Sequence, residues 1–587
     1  MHLLTAQAGA LQQEGEAIDL GQTPGEIVFA SAADSELTLI AGAVDRAGER
    51  GVRLANLLRL THNLSVDLWI EKTAGHAKLV VVRLLGGPAY WPYGIEQLAA
   101  LAADGRFKLA LLPGDATPDP ILDSRSTIEP AHLRRFHALF TAGGPDNADT
   151  TLATLRAIVA GATSAPHDGS ETSSTSPKPF PRFGFWTPDS GVVFEMPARE
   201  RPAVPLLFYR AALEGAGTAT LAALYGEIER QGLAPVPLMI STLKEGACVR
   251  FVKAAFATHR PQAILNLTGF ALGLDGLEDK LNPFAGIDAP VIQLVQGGRP
   301  ETQWAADSQG LSAKDLAMQV VLPELDGRIG GIIVGHKAEA VWHAATECPL
   351  SAYAPDNDGI RRAVALANNY VRLRKTPRVT RKVAIVLANY PIRDGRLANG
   401  VGYDAPQSTV EILRHLGVDA PTDGNALIDL LQAGPTNAHP ERGESVPFSL
   451  ARYRELFAAL PEEVQRDVAG RWGEPEADPF VREEAAFHLP VLLFGNVAVM
   501  LQPARGYDRD EAAAYHDPDL APPHAYIAAY LWLRHEFGAH AILHNGKHGS
   551  LEWLPGKAVA LDGASYPAML WGELPHLYPF IVNDPGE

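Results

Sequence analysis

The residues of this chain best equipped for chemistry lie near its end, in the run His544-Asn545-Gly546-Lys547-His548-Gly549-Ser550-Leu551-Glu552-Trp553-Leu554-Pro555-Gly556-Lys557. Two histidines, one lysine and one glutamate fall within nine residues, His544 to Glu552. Neutral imidazole and carboxylate both bind divalent metal ions and both accept protons. The run therefore points to metal handling or proton transfer. The spacing of His544, His548 and Glu552 would align them on one helix face. Gly546 and Gly549 argue instead for a loop with close backbone approach. A salt-bridged structural loop is the other reading of the same residues. His524, His535 and His540 are near in sequence, and His535 sits in an amphipathic helical pattern that reads as structural.

The elements that must position this loop read as alternating strands and helices. Ala541-Ile542-Leu543 is a short apolar run that predicts a buried strand, and open α/β sheets place their sites at strand carboxyl ends. Lys382–Ala388 and Leu489–Phe494 predict strands of the same region, with a helix from about Ala525 to Glu536. Earlier, the strands Ile27–Ala30, Lys78–Leu85 and Lys108–Leu112 alternate with helices Leu37–Ala47 and Ile95–Ala103. A second such series holds strands Val204–Tyr209, Val236–Ile240, Ala263–Leu267 and Val291–Val295, with a helix at Thr218–Gln231. This pattern implies an α/β, multi-domain fold of mainly parallel sheets flanked by helices. The Ser/Thr/Pro-rich stretch from Ser164 reads as a connector or surface excursion. The expected division is an N-terminal α/β domain at 1–163 and a flexible connector at 164–182. A Rossmann-like α/β domain follows at 183–375, then an α/β domain at 376–587 that carries the His/Glu site and is incomplete at its C-terminus.

Bulk properties narrow the function classes. A chain of 587 residues is too long for one core. The formal charge of −18 disfavours a nucleic-acid partner, which wants Lys and Arg in excess. No apolar run approaches the ~20 residues of a membrane helix. Met1 to Asp45 contains no Lys or Arg, so it lacks a signal peptide's basic start. Cys248 and Cys348 form no zinc or redox spacing and read as buried thiols. A cytoplasmic protein is expected.

Other motifs leave alternatives open. Gly215-Ala216-Gly217-Thr218-Ala219-Thr220 lacks the third glycine of a dinucleotide fingerprint and reads as a plain strand-to-helix turn. Gly546-Lys547 and Gly556-Lys557 are not followed by Ser or Thr, so no Walker A motif is present. Asn399 to Asp404, with Tyr403, is either a ligand loop or a tight connection with an Asx turn. Gly86 to Gly94, with Tyr90, Trp91 and Tyr93, either stacks on a flat ligand or packs an interface.

At these residues the chain resembles the large subunits of tetrapyrrole metal chelatases. That family includes the cobaltochelatase large subunit of aerobic cobalamin synthesis and the magnesium chelatase H subunit. The signature is the run His544 to Lys557. Further matches are Leu20 to Gly25, Gly86 to Gly94, Asn389-Tyr390-Pro391, Asn399 to Asp404, and Pro575-His576 to Gly586. The start of the chain and the Gly86 loop look more like the cobalt member.

The resemblance implies that cobalt(II), the substrate metal, is inserted into a corrinoid, hydrogenobyrinic acid a,c-diamide. It also implies two AAA+-type partner subunits that bind and hydrolyse ATP with Mg, which fits the missing Walker A motif. On this reading His548 and Glu552 hold the incoming ion or accept the macrocycle's protons. His544 is a metal ligand or an orienting group, and Lys547 pairs with a macrocycle carboxylate or is a solvated charge. Trp553 or Tyr90 packs on the ring face, and Tyr403 and Asp404 line the substrate site. Large subunits of this family are longer, so the chain is expected to be an N-terminal portion. The competing readings are a magnesium chelatase H subunit acting on protoporphyrin IX, a non-catalytic tetrapyrrole or metal carrier, and a structural scaffold.

Overall fold

The computed structural model describes the chain except residues 1–16, 85, 116, 162–176, 216, 273–281, 390–392, 401, 483–485, 508–516, 547–549 and 579–587. Three principal sheets organise it. The first joins β1 (Ile27–Ser31), β2 (Val52–Asn56), β3 (Leu79–Leu84) and β4 (Lys108–Pro113), all parallel, in the order β2-β1-β3-β4. Its strands are buried almost throughout because helices cover both faces. Ile27 and Phe29 pack against Leu37, Ile40 and Val44 of helix Asp34–Ala47. Val28 and Ala30 face Trp69 and Ile95 on the other side.

The second sheet holds β5 (Phe183–Thr187), β6 (Gly191–Val193), β7 (Ala203–Tyr209), β8 (Ala234–Ile240), β9 (Ile264–Asn266), β10 (Val291–Gly297) and β11 (Ile329–Lys337). A hairpin of β12 (Val341–His343) and β13 (Cys348–Leu350) leaves it before β14 (Tyr353–Pro355) returns to its edge. The order is β14-β11-β10-β9-β7-β8-β5-β6, with a parallel centre and antiparallel edges. The hairpin crosses to the first sheet, where Cys348 joins the core around Ile27 and Phe29. Both cysteines are buried free thiols.

The third sheet is built from β15 (Val383–Leu387) and later strands. Between them lie the short pair β16 (Asn399–Gly400) and β17 (Tyr403–Asp404), and a small antiparallel sheet of β18 (Val446–Ser449), β19 (Val481–Arg482) and β20 (Ala486–Leu489). β21 (Val491–Phe494), β22 (Val497–Leu501), β23 (Ala541–Asn545) and β24 (His576–Leu577) complete the order β21-β22-β15-β23-β24. Only β21 is antiparallel.

Two expectations change. The predicted strand Leu489–Phe494 is split between two sheets at Pro490, which has no N–H to continue a ladder. The apolar run Val497–Leu501, not singled out in the sequence, is the strand that pairs with β15. The expected connector lies largely outside the described residues. Its end is fastened where Asn147 bonds the backbone of Lys178 in both directions, at 2.6 and 2.8 Å. No helix among the described residues is long and apolar enough to cross a membrane.

The parallel strands of all three sheets share one order. The first strand in sequence lies between the second and the third, so each sheet has a switch point between its first and third strands. Ligands of open α/β sheets bind outside the carboxyl ends at such points.

Candidate functional site

At each switch point polar side chains of the chain bond to one another. In the first sheet, Ser31 bonds Glu36 at 2.7 Å, and Arg83 donates to Glu36 at 2.7 Å and to the Gly114 carbonyl at 2.9 Å. In the second, Tyr209 donates to the Gly269 carbonyl at 3.0 Å and Asn266 to Gln293 at 2.7 Å. The third lies between β15 and β23, and there the histidine-bearing run begins.

His544 and Asn545 are the last two residues of β23, opposite Val386 and Leu387 of β15. The chain then turns at Gly546, whose φ of 155° suits glycine. Glu552 stands on a one-turn 3₁₀ helix, Leu551–Trp553. His544 and Glu552 therefore share no helix, as the glycines foretold. Lys547 and His548 lie outside the described residues.

A chain of hydrogen bonds runs through His544. The Ser550 N–H donates to Gln502 Oε1 at 2.9 Å, which fixes the orientation of that amide. Gln502 Nε2 then donates to the Tyr530 hydroxyl at 3.0 Å and the Tyr526 hydroxyl at 3.1 Å. The Tyr530 hydroxyl also lies 2.8 Å from His544 Nε2, within hydrogen-bond distance. His544 Nδ1 in turn lies 2.5 Å from His576 Nε2. β24 supplies His576 opposite Ile542, two residues before His544 and on the same face of the sheet. His576 stacks on Tyr578 with ring centroids 5.7 Å apart, and the Tyr578 hydroxyl donates to Glu552 Oε1 at 2.8 Å. Glu552 and Trp553 are exposed, so a carboxylate and an indole sit side by side near an imidazole pair of which His544 is buried and His576 half-buried.

Local sequence explains the scaffold. Helix His524–Leu531 is buried along its whole length because it is apolar on every side. Tyr526 and Tyr530, four residues apart, present both hydroxyls on one face of it. Asn545 is held from the other side. Tyr403 Oη lies 2.6 Å from Asn545 Oδ1, and Asn545 Nδ2 donates to Thr409 Oγ1 at 2.9 Å. Asn389, just beyond β15, keeps a buried amide oxygen with no hydrogen-bond partner among the described residues.

The structure thus brings together His544, Glu552, Trp553 and, through Asn545, Tyr403. Asp404 caps helix Ala405–Leu416 by accepting from the Gln407 N–H at 2.9 Å. Tyr90 belongs to the first sheet's core, beside Trp91, which edges onto Trp69 at 6.1 Å. Both nitrogens of His544 are committed, so a metal ion would have to break the chain to bind it. Among the described residues no group of three or more His, Cys, Asp or Glu is placed to hold a metal ion. Gln502, Tyr526, Tyr530 and Tyr578 were missed. The spacing of the two helix tyrosines was the available signal for that pair.

The desolvated imidazoles of His544 and His576 make stability depend on pH. Desolvation, then the neighbouring His576, holds His544 well below the ordinary 6.5, and desolvation pushes His576 down to about 4. Between 6.5 and 4 the unfolded chain binds protons that the folded chain refuses. The contribution is complete above pH 6.5 and declines as pH falls, by at most about 1.4 kcal/mol per pH unit for each histidine. We expect the thermal midpoint to drop on acidification through this window and His576→Asn to reduce that slope. A midpoint that stays level across it would contradict the assignment.

Comparison with known proteins adds an independent finding. Residues 137–587 match the family described as CobN/Magnesium Chelatase. The chain is 45% identical to the "Aerobic cobaltochelatase subunit CobN" of Sinorhizobium sp, covering 100% of this chain and 47% of that protein. It is 40% identical to the protein of the same name from Pseudomonas aeruginosa, again over 100% of this chain and 47% of the relative. The solved "Catalytic Subunit of Cobaltochelatase from Mycobacterium tuberculosis" superposes with a TM-score of 0.69 at 31% identity, covering 95% of this chain and 46% of that one. The chain spans about half the length of these relatives.

Proposed function

Because this chain belongs to the CobN/magnesium chelatase family, we propose that it is the tetrapyrrole-binding part of an ATP-dependent cobaltochelatase in cobalamin biosynthesis. The reaction is cobalt(II) insertion into hydrogenobyrinic acid a,c-diamide, a ligase reaction that forms nitrogen–metal bonds. ATP with Mg is consumed by two AAA+-type partner subunits, and the complex works in the cytoplasm. The observation that supports the reading is similarity over the whole of this chain to two cobaltochelatase subunits, of which it covers 47% each, together with a histidine- and glutamate-bearing turn at the third sheet's switch point.

Insertion makes two demands. The metal must shed water, and the macrocycle must release its inner N–H. The macrocycle supplies most of the nitrogen ligands itself, so the protein needs a base and a transient ligand rather than a full metal cage. We assign both roles to Glu552, exposed and already accepting one hydrogen bond from Tyr578. His548, four residues earlier, is its partner in this reading, and Lys547 pairs with a macrocycle carboxylate. Trp553, beside Glu552, offers its face to the ring. His544, His576 and Tyr530 act as orienting groups, the two imidazoles neutral and all three joined by hydrogen bonds.

The test is metal and macrocycle preference in the assembled chelatase. Cobalt entering the corrinoid only with ATPase partners present is the expected result. Magnesium entering protoporphyrin IX instead would move the chain to the other branch of its family. Stoichiometric binding without any dependence on an ATPase would make it a carrier.

A further inference from the structure

The stretch that follows Glu552 does not end at the third sheet. Lys557 is a lysine almost withdrawn from water, with 8% of its surface exposed. Burying an ammonium group is costly unless its donors are paired, and here they are. Its Nζ donates to the carbonyls of Trp304 at 2.7 Å, Ala305 at 3.1 Å and Asp307 at 3.1 Å. The first two close helix Glu301–Ala305, where carbonyl dipoles favour a cation. The same ammonium lies 4.5 Å above the Trp304 ring. Next to it, the Ala558 N–H donates to the Ser308 carbonyl at 2.8 Å. Gly310 seats so closely that an added Cβ would meet the Val559 carbonyl at 2.1 Å.

The seat is itself tied back. The Trp304 ring lies 4.8 Å from His336, whose Nε2 is 3.0 Å from Asp356. Asp356 caps helix Asn357–Lys375 by accepting from the Gly359 N–H at 2.8 Å. That helix returns to the same stretch, where Arg362 donates to the Leu561 carbonyl at 2.7 Å and Asn369 to the Glu573 carbonyl at 2.8 Å. The segment joining the Glu552 turn to the His576 strand is therefore gripped at both ends by the second sheet's elements. A solvated charge would need none of this.

We propose that Lys557 is a positioning residue: its seat on the helix that follows β10 of the second sheet sets where the Glu552 carboxylate stands relative to His576. The inference rests on the reading of Glu552 given above, and amide exchange separates the two. In the full protein, Lys557→Met keeps the side chain's length and removes its charge. It is expected to raise amide exchange in residues 550–556 about tenfold while leaving β15 and β22 protected. In the assembled chelatase it lowers kcat about tenfold with KM unchanged, and Lys557→Arg recovers part of that loss. Gly310→Ala, which pushes on Val559 without touching the charge, produces the same local loosening. Unchanged exchange in 550–556, a uniform rise across the chain, or loosening with wild-type kcat would each overturn the proposal. Loosening in a protein whose wild type inserts no metal would leave the latch standing and remove the chelatase reading instead.

Discussion

In the assembled chelatase, Glu552→Gln lowers the rate of cobalt insertion by about 10²–10⁴-fold and leaves affinity for the metal-free macrocycle within about twofold. The substitution keeps the size of the side chain and an acceptor for the Tyr578 hydroxyl, so the turn at Leu551–Trp553 keeps its shape. What is lost is the negative charge and the site for a proton. A base that acts as the N–H leaves contributes to the barrier, not to macrocycle binding, so the loss falls on kcat. A matching fall in affinity would mean that Glu552 holds the substrate instead.

The second large effect is expected from His544→Asn. His544 is 4% exposed and bonded through both ring nitrogens, so its removal strands the Tyr530 hydroxyl and His576 together. Each buried group left unsatisfied costs about 1–3 kcal/mol, and loss of an orienting partner typically costs about 10–100-fold in activity. Stability and activity therefore fall together, which alone would not show an orienting role. Tyr530→Phe separates them. It removes only the hydroxyl beside the imidazole and keeps the buried ring. Melting should show a smaller loss of stability for Tyr530→Phe than for His544→Asn, while insertion still slows by about 10-fold or more. Full activity in Tyr530→Phe would show that this hydrogen bond is irrelevant to insertion.

How much of this was legible in the sequence differs by residue. Strands such as Ile27–Ser31 and Val383–Leu387 announce themselves because they are buried on both faces and so read as unbroken apolar runs. The Gly546 turn was legible because glycine is the residue that reaches its backbone geometry without strain. Strand order was not legible, since nothing in a local pattern says that β15 lies between β22 and β23. His576 stood inside a recognised stretch, but its meeting with His544 depends on pairing across 32 residues. Tyr90 and Trp91 were ambiguous in another way. Aromatic residues at a strand end look the same whether they face a ligand or complete a core, and these complete the core. Asp404 was ambiguous for a related reason, because a carboxylate that caps a helix is locally identical to one that binds a substrate.

The account turns on Glu552 taking the macrocycle's proton, and the most direct measurement is the pH profile of single-turnover cobalt insertion by the assembled chelatase. The wild-type rate should climb as a carboxylate loses its proton, and that limb should vanish in Glu552→Gln together with most of the rate. Two superimposable profiles of equal height would contradict the account and leave the exposed carboxylate without a part in the chemistry.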